Sequence, residues 1–161
     1  AGTVYEAFGR PKDAVESYLK ALSVYERELN QSSPKRGGLY NNLALALALC
    51  ERYDEALEYY SMALGVMAQV PGGEIECALT KLNMANCYEG KLGLLDGSEL
   101  IEECLEDAKE LLDTPELDRS GYYAFMADKC VSTFEYYGYF DYASKLKKRV
   151  EETYERLRSL A

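Results

Sequence analysis

The chain has 161 residues, a formal net charge of −10 and no histidine. Because histidine is the commonest general base and a frequent zinc ligand, we expect neither an enzyme nor a bound metal or cofactor. Hydrophobic residues make up 48% of the chain and charged residues 29%, which is ordinary for a folded soluble protein, and abundant Ala, Leu, Glu and Lys favour helices.

The first predicted helix follows Gly9 and has a proline in its first turn, Pro11, where a missing N–H costs nothing. Ala14, Tyr18 and Ala21 lie on one face of this helix, separated by four and then three residues. Small residues on such a stripe let two helices approach closely, and the tyrosine fills the space between them. We therefore predict that this face packs against another helix.

A helix–turn–helix unit is predicted from Leu39 to Leu64, after a Ser-, Pro- and Gly-rich linker over residues 32–38. Ala56, Tyr60 and Ala63 repeat the earlier spacing, each exactly matching its counterpart at an offset of 42 residues. Agreement of residue types at one offset indicates a repeated helical hairpin.

A third unit is predicted after the Pro-Gly-Gly break, with its first helix from Glu74 to Glu89. An insertion from Gly90 to Gly97 displaces its second helix, for which Ser98 is the predicted N-cap. The buried stripe of that second helix is predicted at Ile101, Leu105 and Ala108.

A fourth unit begins with a predicted aromatic helix from about Arg119 to Tyr137, after a break at residues 114–118. The turn from Gly138 to Ala143 repeats the turn from Gly9 to Ala14. The last helix has one apolar face and is otherwise charged, which is typical of the helix that caps a repeat array. That apolar face contains Ala143, Leu146, Val150, Tyr154 and Leu157.

These hairpins resemble the tetratricopeptide repeat, whose pattern is Leu-Gly-x-x-Tyr in the first helix, then Ala-x-x-x-Phe and Ala in the second. Here Leu43-Ala44-x-x-Leu47 corresponds to the first part, and Ala56-x-x-x-Tyr60 with Ala63 to the second. Gly2 and Tyr5 have the same separation as the glycine and tyrosine of Leu-Gly-x-x-Tyr, without the preceding leucine. We therefore expect a fragment that starts inside a helix. Since the ordinary repeat recurs at about 34 residues, the longer period indicates longer helices.

The resemblance implies an all-α fold, an α-solenoid of helix–turn–helix repeats in a right-handed superhelix that forms a single domain over residues 1–161. Its expected divisions are a truncated first repeat over 1–31, a second over 37–69, a third with an insertion over 74–113, and a fourth with the C-terminal capping helix over 116–161.

In this family the first helices of successive repeats line a concave groove, so the resemblance implies a non-catalytic module that binds a peptide segment or partner protein. The binding residues carried over to this chain are Asn41, Asn42, Leu45, Asn86, Glu89, Asp128, Ser132 and Glu135. Other inward positions are Thr3, Glu6, Ala48, Leu79, Leu82 and Phe125. Asn41 and Asn86 are suited to bond a peptide backbone, because asparagine both donates and accepts. Asn42 and Asn83, which match across repeats, either do the same or hold neighbouring helices together.

The charged residues at these inward positions are all acidic: Glu6, Glu89, Asp128 and Glu135. A neutral or basic peptide is therefore the favoured partner. Family members that hold the acidic C-termini of chaperones carry Lys and Arg at inward positions, whereas Leu79 and Asn83 stand at the corresponding third-repeat positions. A carboxylate clamp of that kind is not expected.

Residues 96–118 contain ten acidic side chains and one basic one. This acidic segment would repel nucleic acid and anionic lipid, so neither is an expected partner; it serves either solubility or the steering of a basic partner. No apolar run approaches the ~20 residues of a membrane span, and no membrane association is expected.

The five cysteines are odd in number and widely spaced, which indicates reduced thiols in a cytoplasmic protein. The fifteen tyrosines are interpreted mainly as helix-packing residues. Two alternative functions stay open: a peptide-sensing regulatory domain of a larger protein, and homo-oligomerisation through the truncated N-terminal end, where an apolar helix face would be exposed.

Overall fold

Seven α-helices make up the computed structural model, which describes residues 9–30 and 33–161. They are α1 (Pro11–Glu28), α2 (Pro34–Leu49), α3 (Tyr53–Met67), α4 (Glu74–Asp96), α5 (Ser98–Leu112), α6 (Gly121–Tyr136) and α7 (Phe140–Ser159). The described residues contain no strand. The predicted all-α helical-repeat fold is confirmed. The partial first element at Gly2 and Tyr5, with the apolar end proposed for self-association, lies outside the described residues.

The helices pack as consecutive hairpins, α2 with α3, α4 with α5, and α6 with α7, while α1 packs against α2. Each first helix also contacts the next first helix, so α2, α4 and α6 form one continuous row. Because the connections within hairpins are short, the second helices follow on the other side of this row.

The small–large–small stripes form the centre of the core. Ala56, Tyr60 and Ala63 are completely or almost completely buried, and Ala14 and Tyr18 of α1 are buried as well. The α4–α5 hairpin buries its stripe with aliphatic residues instead: Ile101, Leu105 and Ala108. The predicted stripes thus correctly identify which helix faces pack together.

The linker predicted over residues 32–38 is wrong from Pro34 onwards, because α2 begins there with the proline in its first turn. Gly37 is buried inside this helix, and a Cβ at that position would lie 2.6 Å from the sulfur of Met67. The glycine therefore permits close packing of α2 on α3. Composition alone did not distinguish this use of glycine from a loop.

Ser98 is not the N-cap that the sequence predicted, since Gly97 takes that position and Ser98 is the first residue of α5. α4 also continues beyond Glu89 to Asp96, with one break at Gly93, where φ is 82° and ψ is 168°. That conformation is essentially restricted to glycine. The inserted residues lengthen α4 and then redirect the chain at Gly93.

Polar contacts fix α7 onto the end of α5. Arg149 donates from Nη1 to the hydroxyl of Tyr123 at 2.8 Å and pairs with Asp113 at 2.9 Å. The hydroxyl of Tyr142 donates to the same carboxylate at 2.9 Å. Burial, together with this hydrogen bond, raises the pKa of Tyr142 and keeps its hydroxyl a donor.

All five cysteines are free thiols, and every one except Cys50 is buried. Burial raises the pKa of Cys87 and that of Cys104 to about 11. The thiols of Cys87 and Cys104 therefore remain neutral, and their side chains act as small packing groups. None of the described helices combines the length and apolar character that a membrane crossing requires.

Candidate functional site: the face formed by the first helices

The exposed side of α2, α4 and α6 is the part of the molecule to which the sequence assigned binding. We call it the first-helix face and define it by Gly38, Asn42 and Leu45 of α2, Leu79, Asn83 and Asn86 of α4, and Tyr122 and Phe125 of α6. These residues are partly or fully exposed, whereas the opposite sides of the same helices are in the core.

Asn41 joins α2 to α4 at the edge of this face. Its Oδ1 accepts hydrogen bonds from Thr80 Oγ1 at 3.2 Å and from Asn83 Nδ2 at 3.4 Å. Of the two uses predicted for Asn83, the structure shows the second, the holding of a neighbouring helix. Because Oδ1 of Asn41 accepts these hydrogen bonds, its amide Nδ2 is the group that can donate to another partner.

Tyrosine hydroxyls join α4 to α6. Tyr122 donates to Glu76 at 2.5 Å, near the beginning of both helices. At the other end, Tyr136 donates to Glu89 at 2.8 Å. Burial, with the bond to Glu76, raises the pKa of Tyr122 to about 12, so this hydroxyl stays protonated at neutral pH. The two hydrogen bonds fix the relative position of α4 and α6 at both ends.

Tyr137, in the turn after α6, extends the same arrangement. Its hydroxyl donates to Asn86 Oδ1 at 2.9 Å, and its ring lies edge-on to that of Tyr136 with centroids 4.8 Å apart. Burial is the main cause that raises the pKa of Tyr137. Asn86 is therefore oriented by a neighbouring repeat while remaining exposed on the first-helix face.

Two depressions lie along the first-helix face. The first has a volume of about 330 Å³ and the second about 270 Å³. The residues that line the first depression include Gly38, Asn41, Asn42, Glu76, Leu79, Thr80, Tyr122 and Met126. The residues that line the second include Leu45, Ala48, Leu49, Asn83 and Asn86. Each combines apolar side chains with asparagine amides, which suits an apolar side chain of a ligand flanked by its polar backbone.

Four of the eight predicted binding residues line one of the depressions, and the other four line neither. Asn41 and Asn42 line the first depression, and Leu45 and Asn86 line the second. Glu89 lies next to Asn86 and is held by Tyr136. The remaining three are exposed on α6 but line neither depression: Asp128, Ser132 and Glu135.

Leu82, which the sequence placed inward, is 1% exposed and belongs to the core. A first helix inside the row has a neighbour on each side, so only a narrow strip of its surface remains open. Leu79 and Asn86 lie on that strip, whereas Leu82 is rotated away from it. Thr3 and Glu6 lie outside the described residues.

Sequence reasoning missed Gly38 and Tyr122 as parts of this face, and the buried Thr80 and Met126 as part of the lining of the first depression. A signal existed for the tyrosines: Tyr122 and Tyr136 are 14 residues apart, close to four helical turns, and so share one side of α6. Gly38 gave no such signal, since its contribution is the space left by its absent side chain. A Cβ at Gly38 would have no atom within 4 Å.

Consecutive hairpins, buried stripes that recur between them, and first helices aligned on one face define an α-helical repeat protein. The sequence model of the tetratricopeptide repeat matches residues 1–35 and 38–69. The resemblance to the tetratricopeptide repeat drawn from the sequence is therefore confirmed. From residue 74 onwards, α4 to α7 continue the same hairpin architecture.

Solved structures of similar fold support the helical-repeat architecture. Nearly identical TPR-like repeats of a predicted kinesin light chain from Podosopora anserina have 16% sequence identity and a TM-score of 0.56, over 97% of this chain and 72% of that one. BtubC (BKLC) from P. vanneervenii has 19% identity and a TM-score of 0.62, over 98% of this chain and 61% of its own. At these identities the likeness establishes the fold alone. A comparison with curated proteins gives no match.

Proposed function

We propose that the chain is a non-catalytic protein-interaction module of the cytoplasm that binds an extended peptide segment of a partner on the first-helix face. The observation that carries this proposal is the presence of two depressions in succession along one face, each with apolar and amide groups. A ligand that places one side chain in each depression would be held at two points and in one register.

The spacing of the depressions indicates the shape of the ligand. Gly38 and Asn42 line the first, whereas Leu45 and Leu49 line the second, an offset of seven residues along α2. Seven residues of helix correspond to a distance of about 10 Å. Three residues of polyproline II helix span about 9 Å, and every third side chain points the same way. We therefore propose two apolar ligand residues separated by two others.

The mechanism is rigid presentation of the face. Bonds from Tyr122 to Glu76 and from Tyr136 to Glu89 fix α4 against α6, and Asn41 fixes α2 against α4. Because these contacts exist before a ligand arrives, the partner segment supplies most of the loss of conformational entropy on binding.

Charge favours a neutral or basic ligand. Glu76 lines the first depression, Glu89 lies beside the second, and Asp128 is exposed on α6. The basic side chains near this region include Lys35, Lys91, which pairs with Asp54, and Lys129, whose ammonium group lies 4.5 Å from the ring centroid of Phe125. With Glu135 the carboxylates outnumber these lysines, so a ligand with a net negative charge would be repelled.

A selection from a random peptide library, followed by affinity measurement with two tryptophan variants, tests the proposal. Gly38→Trp fills the first depression, and a side chain at Gly38 meets no neighbouring atom at its Cβ. Gly65→Trp is the matched control, because Gly65 is also helical and exposed with open space at its Cβ, but lies on α3. We expect Gly38→Trp to weaken binding about tenfold or more, and Gly65→Trp to leave affinity within about twofold.

Equal affinity of the selected peptides for the parent and for Gly38→Trp would show that the first-helix face is not the binding site. Enrichment of acidic peptides would contradict the proposed charge preference. Failure to enrich any sequence above an unrelated folded protein would contradict peptide binding itself.

A further inference from the structure

The end of the α4–α5 hairpin extends beyond both neighbouring hairpins. α4 has 23 residues, whereas α2 and α6 have 16 each. At the start of α3 the Tyr53 ring reaches Gly90, where an added Cβ would lie 2.6 Å from it. Asp54 reaches one residue further and pairs with Lys91 at 2.5 Å. On the other side, Tyr136 reaches only as far as Glu89.

Four leucines are exposed at this projecting end, and we call them the leucine tip: Leu92, Leu94, Leu95 and Leu100, with 36%, 54%, 90% and 38% of their surfaces exposed. The turn that carries them is ordered by its backbone. Gly97 N–H donates to the carbonyl of Gly93 at 3.0 Å, and Gly97 is buried against that same backbone. Exposed apolar clusters of this kind typically mark contact surfaces.

The surroundings of the leucine tip are acidic. Asp96, Glu99, Glu102 and Glu103 are exposed within it or directly beyond it. The nearby basic residue, Lys91, is already paired with Asp54. An apolar surface with a negative rim is complementary to a segment that has an apolar stripe bordered by Lys and Arg. Anionic lipid, by contrast, would be repelled.

We propose that the leucine tip is a second docking surface, separate from the first-helix face, and that its occupant is a basic amphipathic helix of a partner protein. The leucines enter the apolar stripe of that helix, and the acidic rim contacts its flanking cationic residues. The acidic segment of α5 thus contributes to recognition as well as to solubility. Among the hairpins of the described residues, this surface belongs to α4–α5, where the inserted residues lengthen α4.

The test measures fluorescence anisotropy of a labelled amphipathic peptide made of Leu and Lys, with a shuffled peptide of the same composition as the comparison. The parent chain is compared with Leu92→Gln/Leu94→Gln/Leu95→Gln. Leu19→Gln/Leu160→Gln, which removes two exposed leucines that lie outside both the leucine tip and the first-helix face, is the matched control. We expect the tip variant to weaken binding of the amphipathic peptide about tenfold or more, the control to weaken it less than about twofold, and the shuffled peptide to bind more weakly than the amphipathic one.

Because all five substituted leucines are exposed, thermal melts of both variants should match that of the parent. Equal binding by the parent and the tip variant would overturn the proposal, and so would an equal or greater loss with the Leu19→Gln/Leu160→Gln control. Sedimentation velocity that shows a parent dimer, and a monomer for the tip variant, would identify a second copy as the occupant instead. Flotation of the parent alone with phosphatidylcholine vesicles would identify a lipid surface. Either result would contradict a basic helix as the occupant.

Discussion

The α2–α3 and α4–α5 hairpins both pack around a buried stripe, and they differ at their ends, outside the core. Tyr60 fills the centre of one and Leu105 the centre of the other, and both side chains are almost completely buried. The connection in the first hairpin is a short turn over residues 50–52. In the second, α4 continues past its neighbours and ends in the exposed leucine tip.

This difference between the two hairpins indicates that the buried stripe determines the fold, whereas residues at the hairpin ends can take on other functions. A substitution in the stripe removes contacts with two helices at once, since core side chains interdigitate. Beyond the Lys91–Asp54 pair, by contrast, the side chains of Leu92, Leu94 and Leu95 are exposed. Substitutions at these two kinds of position are therefore expected to differ in their effect on stability.

The largest effect is expected from Tyr60→Ala, which leaves a cavity the size of a phenol ring in the centre of the α2–α3 hairpin. We expect a loss of about 3–5 kcal/mol in the free energy of unfolding, measured by urea denaturation. Leu105→Ala should cost about 2–5 kcal/mol, depending on how far its site collapses. A loss below about 1 kcal/mol for either would mean that the stripe does not carry the packing.

The attachment of α7 to the C-terminal end of α5 is tested by Arg149→Met. The side chain of Arg149 is 12% exposed, and its removal deprives Asp113 and Tyr123 of a partner. Since Asp113 itself is partly exposed and keeps contact with water, we expect a loss of only about 1–3 kcal/mol. Lys148→Met, on the exposed side of the same helix, is the control and should change stability by less than about 0.5 kcal/mol.

The bend in α4 is tested by a pair of glycine substitutions. Gly93→Ala forces alanine into a backbone region that glycine alone adopts freely, and should cost about 1–3 kcal/mol. Gly65→Ala places the same methyl group in a regular, open helical position and should stabilise the chain by about 0.5–1 kcal/mol. Equal effects of the two would show that the chain does not need the break at Gly93.

The smallest effect concerns alkaline pH and the contact between α4 and α6. The pKa of Tyr122 rises from its ordinary value of 10.0 to about 12 in the folded chain. Its contribution to stability is therefore complete below pH 10 and is lost as pH rises through the folded pKa, because the unfolded chain loses its proton first. Urea denaturation across this range should show a smaller decline for Tyr122→Phe than for the parent.

The sequence predicted the stripes because they depend on local spacing. Ala56, Tyr60 and Ala63 share one side of any α-helix, and their recurrence at a fixed offset identified the helices that pack. That the first helices share one face was implied by the resemblance to the tetratricopeptide repeat rather than by spacing. Asn42, Leu45 and Asn86 lie there as expected, although their use in binding stays a prediction.

Contacts between repeats were less predictable. Tyr122 and Glu76 are 46 residues apart, and their meeting depends on the register of α6 against α4 rather than on local pattern. Glycine was equally ambiguous, because Gly37 allows close helix packing whereas Gly93 redirects the chain. Ser98 is not the N-cap because α5 begins one residue earlier than predicted, so that Gly97 takes the cap position and Ser98 is already helical.

The central claim is that ligands bind across the first-helix face. The most direct measurement is a ¹⁵N NMR titration with a peptide selected from the library, followed residue by residue. The account predicts the largest shift changes at Gly38, Asn42, Leu79 and Asn86, with those of the leucine tip unchanged. Changes concentrated on α3, α5 or α7, with the first-helix face unaffected, would contradict it.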